Sequence, residues 1–188
     1  MQVSELAISG PLLISPTRHG DPRGFFSETF RQDAFEEAAG PVRFVQDNHS
    51  FSTRPGVIRG LHCQAPPHAQ GKLVRVTRGA VYDVVVDVRA GSPTYGRHLG
   101  LELSAENWLQ LWVPPGFLHG FCTLTEEVEF LYKVTSYYDA GAEATVAFDD
   151  ADLAIHWPLG DAAPLVSDKD RRGVKFRDFQ SPFAFAGV

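Results

Sequence analysis

Short runs in which every second residue is apolar dominate the chain. Tyr82, Val84, Val86 and Val88 alternate with Asp83, Val85, Asp87 and Arg89, a period of two that predicts a strand. Leu109, Leu111 and Val113 continue the style up to the turn residues Pro114, Pro115 and Gly116. Phe117, His119 and Phe121 share one parity in the next run, and Phe130, Tyr132 and Val134 share one in the run after that. Short strands at roughly regular spacing, punctuated by Gly and Pro, predict an all-β protein built as an antiparallel sandwich or barrel. One early segment reads as a helix: Asp33 is placed to cap it, Phe35 with Ala38 or Ala39 gives it an apolar side, and Gly40-Pro41 stops it. From about Ser167 to Val188, mixed charges and several phenylalanines fit a helix or an irregular tail equally well.

No internal repeat or low-complexity linker divides the 188 residues, a length that suits one domain. The net charge of -6, with no basic run, argues against nucleic acid, whose binding rests on neutralised phosphates. A phosphorylated small molecule needs only a few local cations and stays open. The two cysteines, Cys63 and Cys122, form no C-x-x-C pair and read as small buried hydrophobes. The N-terminus has no basic start followed by an apolar core, and no apolar run reaches the ~20 residues that span a bilayer. The expectation is a cytoplasmic protein without a membrane partner.

The richest chemistry lies in GVIRGLHCQAPPHAQGK, from Gly56 to Lys72. His62 can take a proton near neutral pH. Lys72 can hold the negative charge that results, and Arg59 can grip a phosphate or polarise a carbonyl. Together they suggest proton abstraction next to a carbonyl on an anionic substrate. Arg59 and His62 are three apart, so a regular strand would send them to opposite faces. If both reach one cavity the strand must be irregular, and Gly60 is the place for a bulge. Taken alone, His119 reads as a half-buried histidine held by a backbone carbonyl, Tyr132 as a core aromatic, and Asp170 in Ser167-Asp168-Lys169-Asp170 as part of a solvated turn. A metal site would want an H-x-H pair, a downstream acid and a later histidine. His62 is followed two residues later by Gln64, and the acid position falls near Gln70 to Lys72.

With these residues in view, the chain resembles the dTDP-4-dehydrorhamnose 3,5-epimerase family of the cupin superfamily, from about residue 5 to 175. The resemblance is carried by DPRGFFSETF from Asp21, FVQDNHS from Phe44, IRGLHCQ from Ile58, QGKLVRV from Gln70, VDVRAGSPTYG from Val86, LSAEN from Leu103, PPGFLHGF from Pro114, FLYKVTSYY from Phe130, and SDKD from Ser167, all in order. It implies a double-stranded antiparallel β-helix, the jelly-roll or cupin barrel, with a few short helices, spanning 1–188 as a single domain and assembling as a homodimer. It implies inversion at C3 and C5 of dTDP-4-dehydro-6-deoxy-D-glucose, with no metal and no organic cofactor. By resemblance, His62 is the base, Asp170 its carboxylate partner, Tyr132 the acid on the opposite sugar face, and Lys72 the donor to O4. Arg23, Glu28, Gln46, Asn48, Arg59, His119, Glu143 and Lys169 fall on substrate-contacting positions. Phe26 and Tyr138 are packing surfaces for thymine or sugar. Two positions depart: Cys63 stands where a bulkier aromatic is common, and Cys122 where an aliphatic is common.

The residues agree with that chemistry. A C4 ketone acidifies the hydrogens on C3 and C5, and the enolate charge sits on O4, where a cation acts most strongly in the transition state. Two other enzyme readings stay open on sequence: a monoepimerase acting at C3 or C5 alone, and a metal-dependent cupin enzyme. A non-catalytic sugar-nucleotide binding barrel fits poorly with His62, Lys72 and Tyr132 occurring together.

Overall fold

The computed structural model describes residues 1–187. In chain order the strands are β1 (Gln2–Glu5), β2 (Leu12–Ser15), β3 (His19–Asp21), β4 (Gly24–Phe26), β5 (Gln46–Ser52), β6 (Val57–Gln64), β7 (Lys72–Arg78), β8 (Ala80–Asp87), β9 (His98–Ser104), β10 (Gln110–Val113), β11 (Phe117–Thr123), β12 (Val128–Val134), β13 (Glu143–Thr145) and β14 (Leu165–Val166). Helix α1 (Gln32–Ala39) lies between β4 and β5, and α2 (Asp168–Arg171) follows β14. Two sheets stack: β1-β2-β10-β7-β12-β5, and β13-β6-β11-β8-β9 with β14 added beside β6. Strands β3 and β4 form a separate hairpin. Only β14 pairs parallel; the remaining named pairings are antiparallel. This is the expected all-β jelly-roll barrel of the cupin type.

The alternating runs become strands as read, but alternation here does not mean one wet face. Val81 and Val85 of β8 point between the sheets, against Val74, Leu111, Phe121 and Phe130. Val84 and Val86 point outward, where Leu153, Trp157, Phe176 and Phe183 from the C-terminal third of the chain cover them. Both faces of β8 are therefore dry, and the polar members of the alternation, Asp83 and Asp87, are buried with them. Buried carboxylates need partners. Asp87 accepts from Arg89, Ser92 and Thr94, and Asp83 from His119.

Helix α1 buries Phe35 against Trp112 and Leu73, and Gly40 ends it with a positive φ of 77° and an N–H bonded to the Glu36 carbonyl. Its cap differs from the expectation. Arg31 occupies the N-cap without a side-chain hydrogen bond, and Asp33 sits inside the first turn. Arg31 takes the Asp33 carboxylate at 2.6 Å, so Asp33 serves the helix through its charge near the positive end and not as a cap. The C-terminal stretch resolves into α2, a short 3-10 turn at Phe176–Asp178, and irregular chain.

The irregularity expected in β6 is present. Phe121 pairs with Arg59 and His119 pairs with His62, so three steps on β6 match two on β11. The extra residue is Gly60, at φ +132°, followed by a cis peptide to Leu61. Only glycine fits: a Cβ there would lie 2.6 Å from the Gly120 Cα. The bulge resets the alternation, so Leu61 enters the outer core while Arg59 and His62 turn to the same side.

Candidate active site

A cavity of about 690 Å³ opens between the two sheets, within the size range of small-molecule sites. Sheet β13-β6-β11-β8-β9 contributes Arg59, His62, Cys63, His119 and Glu143, and the opposite sheet contributes Gln46, Asn48, Lys72, Phe130 and Tyr132. Tyr138, Lys169 and Asp170 complete the lining from the segments after β12 and β14.

His62 Nε2 lies 2.6 Å from Asp170 Oδ1. Ser167, Asp168 and Lys169 are exposed as composition suggests, but the stretch is the capped start of a short helix and Asp170 turns inward, 3% exposed. Ser167 caps α2 by accepting the Asp170 N–H, the S-x-x-D pattern of a capping box, and that fixes where the carboxylate points. Burial alone would raise the Asp170 pKa, but hydrogen bonds from His62 and Ser167 hold it below the usual carboxylate value. An ionised Asp170 keeps the proton on Nε2 and leaves the Nδ1 lone pair free. Burial pulls the His62 pKa down, Asp170 opposes this, and Lys72 and Lys169 push it lower still. The net lowering keeps the imidazole neutral, the form a base requires.

Tyr132 pairs with Asn48 on β5 and Val74 on β7, in the sheet facing His62. Burial pushes its pKa up, with Arg59 opposing, so the phenol carries its proton at neutral pH. Lys72 heads β7, and burial drives its pKa down while Cys63, Glu143 and Asp83 oppose the shift. Burial pushes the Cys63 thiol up to about 11, so it is an uncharged wall. His119 is held by a carboxylate and not by a backbone carbonyl: its Nε2 lies 2.9 and 3.0 Å from the two oxygens of Asp83. Burial raises the Asp83 pKa, and the nearby His119 and Lys72 counter it.

At the rim, Glu143 accepts from Lys169 Nζ at 2.8 Å and from the Tyr138 hydroxyl at 3.1 Å. Burial alone would raise the Glu143 pKa, but Lys169 holds it below its ordinary value. Gln46 and Asn48 lie on one face of β5 and are bonded at 2.9 Å. Three expected contacts are elsewhere. Arg23 and Phe26 stand on the exposed β3-β4 hairpin, where Phe26 is 70% exposed and Arg23 pairs with Asp21 at 2.6 Å. Glu28 follows them in exposed chain, and none of the three lines this cavity. Asp83 is not among the expected site residues, because in sequence it is the polar half of an alternating strand. Its signal was an acid inside the apolar run from Val81 to Val86. Among the described residues, no three His, Cys, Asp or Glu side chains gather as metal ligands, and no helix is long and apolar enough to cross a membrane.

The profile of the dTDP-4-dehydrorhamnose 3,5-epimerase family matches residues 5–178. A dTDP-4-dehydrorhamnose 3,5-epimerase from Pseudomonas aeruginosa is 55% identical over 95% of this chain and 97% of its own length. The crystal structure of the enzyme of that name from Elizabethkingia anophelis superposes with a TM-score of 0.90 at 44% identity, covering 95% of this chain and 97% of that one. A dTDP-6-deoxy-D-glucose-3,5-epimerase from Legionella pneumophila, solved with dTDP-4-keto-L-rhamnose, gives a TM-score of 0.90 at 43% identity, covering 95% and 94%. A neutral imidazole and a protonated phenol on opposing sheets, a lysine lining the same cavity, and this coverage agree: the chain belongs to the dTDP-4-dehydrorhamnose 3,5-epimerase family of isomerases.

Proposed function

We propose that the protein inverts C3 and C5 of dTDP-4-dehydro-6-deoxy-D-glucose to give dTDP-4-dehydro-L-rhamnose. The observation that carries this reading is that His62 and Tyr132 line one cavity from opposite sheets, with Lys72 in the same space. His62 Nδ1 takes the proton from C3 or C5, and the electron pair moves into the ring and onto O4. Lys72 steadies that oxyanion, and Asp170 steadies the imidazolium. The Tyr132 hydroxyl delivers a proton to the other face of the carbanion carbon, which inverts it. His62 then loses its proton to solvent and the tyrosinate regains one. Arg59, His119, Lys169, Gln46 and Asn48 bind the sugar and diphosphate in this reading, and Tyr138 with Glu143 receives the nucleoside.

Arg23, Phe26 and Glu28 are exposed and away from their own cavity, which supports a homodimer in which each hairpin serves the neighbouring copy. Residues 1–188 act as one domain in this reading, since both sheets build the one cavity. The free, buried thiols Cys63 and Cys122 fit a reducing cytoplasm. The test is turnover of the dTDP-4-keto sugar in heavy water, read by proton NMR. Deuterium at both C3 and C5 is expected. Deuterium at one carbon makes the protein a monoepimerase, and none at either carbon refutes the reading.

A further inference from the structure

Between β12 and β13 the chain runs from Thr135 to Ala142 without helix or strand, yet Tyr138 within it borders the cavity while 56% exposed. Its backbone groups would ordinarily bond to water. Here side-chain amides from three other places take them. Gln70 Nε2 donates to the Ser136 carbonyl at 2.8 Å. Gln64 Nε2 donates to the Tyr137 carbonyl at 3.2 Å and to the His68 carbonyl at 2.7 Å, while its Oε1 accepts the Asp139 N–H at 3.0 Å. Gln46 Oε1 accepts the Tyr138 N–H at 3.2 Å. Four consecutive residues are thus each pinned once by a glutamine.

Gln64 is the centre of this arrangement. It is 3% exposed, and both amide donors and the acceptor are used. A primary amide suits the place because two carbonyls and one N–H converge on it; a carboxylate would set oxygen against oxygen. Gln64 also lies two residues beyond His62 on β6 and pairs with Glu143, whose carboxylate takes the Tyr138 hydroxyl. The strand that presents the base therefore also fixes the tyrosine at the rim. Holding an exposed aromatic in place beforehand reduces the ordering cost when a ligand lands on it.

We propose that Gln64, supported by Gln46 and Gln70, is a positioning residue that holds Tyr138 as a fixed platform for the base of the nucleotide, a role that rests on the function proposed above. Gln64→Met keeps length and apolar fill and removes all three hydrogen bonds. Amide hydrogen exchange over residues 136–140 is then expected to quicken at least ~10-fold, with β6 and β12 unchanged. With each lost hydrogen bond counting for up to about tenfold, the KM for the keto sugar and the Kd for dTDP should rise roughly 10- to 30-fold while kcat stays within about threefold. In a Tyr138→Ala background the same change should add less than about twofold to the dTDP Kd, because the platform is already gone. If Gln64→Met does not fold, Gln70→Ala, at a partly exposed position, decides the matter with an increase of roughly threefold in both readouts. Unchanged exchange, a loss confined to kcat, or a full-size effect in the Tyr138→Ala background overturns the proposal. If dTDP does not bind the unaltered protein, the functional reading fails, while the exchange measurement still decides whether the glutamines hold the loop.

Discussion

Asp170→Asn tests the heart of the proposed chemistry with almost no change in shape. The carboxylate lies 2.6 Å from His62 Nε2 and is buried, so the substitution removes a charge-assisted hydrogen bond and leaves the packing alone. Hydrogen bonds to a charged group contribute about 1.5–3 kcal/mol. That stabilisation is greatest once His62 has become an imidazolium, so it is lost from the transition state more than from the ground state. At 1.36 kcal/mol per decade, kcat should fall roughly 10- to 150-fold. KM and dTDP affinity should hardly move, because Asp170 faces the base. The pH profile gives a second, independent reading. Burial lowers the His62 pKa and Asp170 opposes it, so removing Asp170 lowers it further. The base works when neutral, so the acid limb of the kcat/KM profile should move to lower pH. The assay is heavy-water exchange at C3 and C5 followed by NMR across pH 5 to 9, with dTDP binding by calorimetry as the control. Wild-type exchange in the variant, or a limb that moves to higher pH, would refute the assignment of Asp170 as partner to His62.

Lys72→Met should lower kcat by about 10²–10³-fold with dTDP affinity retained, since a contact to a developing oxyanion is lost; exchange kinetics and calorimetry check it. Gly60→Ala forces a Cβ to within 2.6 Å of the Gly120 Cα at a φ of +132°, so it should cost at least ~1–3 kcal/mol and lower the melting temperature by several degrees in calorimetry. For Asp87, burial alone would raise the pKa, but Arg89, Ser92 and Thr94 bring it down to about 2 from 3.8. Its folded value is depressed, so its stabilisation is present above 3.8 and disappears as pH falls towards about 2. Asp87→Asn should therefore cost on the order of 2 kcal/mol in urea unfolding at pH 6, with the gap from wild type closing below pH 4.

The strands were legible because their apolar residues keep a period of two whether or not both faces are dry. For the same reason the pattern could not say that Asp83 and Asp87 are buried, since burial of β8 depends on which distant segments cover it. The bulge was legible from chemistry: two polar residues three apart, wanted in one cavity, require an extra residue, and Gly60 was the residue able to supply it. The cap of α1 was not, because Arg31 draws Asp33 into an ion pair that no propensity anticipates. Chemistry asked for an acid such as Asp170 to orient the His62 ring, but composition makes Ser167 to Asp170 look wet, and resemblance was needed to single it out. The Gln64 position registered only as a ligand that a metal site would lack. The two hydrogen bonds by which it holds the Tyr138 loop run to chain 73 and 75 residues away, and nothing local in the sequence announces them.

The contact between Gly60 and Gly120 has a consequence for how this protein can vary. A methyl group on Gly60 meets the Gly120 Cα, and one on Gly120 meets the Arg59 carbonyl oxygen at 2.8 Å. Both obstacles are main chain, so no change of side chain at either position can make room for the other. The two glycines form a mutational dead end, each intolerant alone and neither rescued by altering its mate. The spacing between guanidinium and imidazole is thereby locked by the absence of atoms, and drift elsewhere in the barrel must proceed around it.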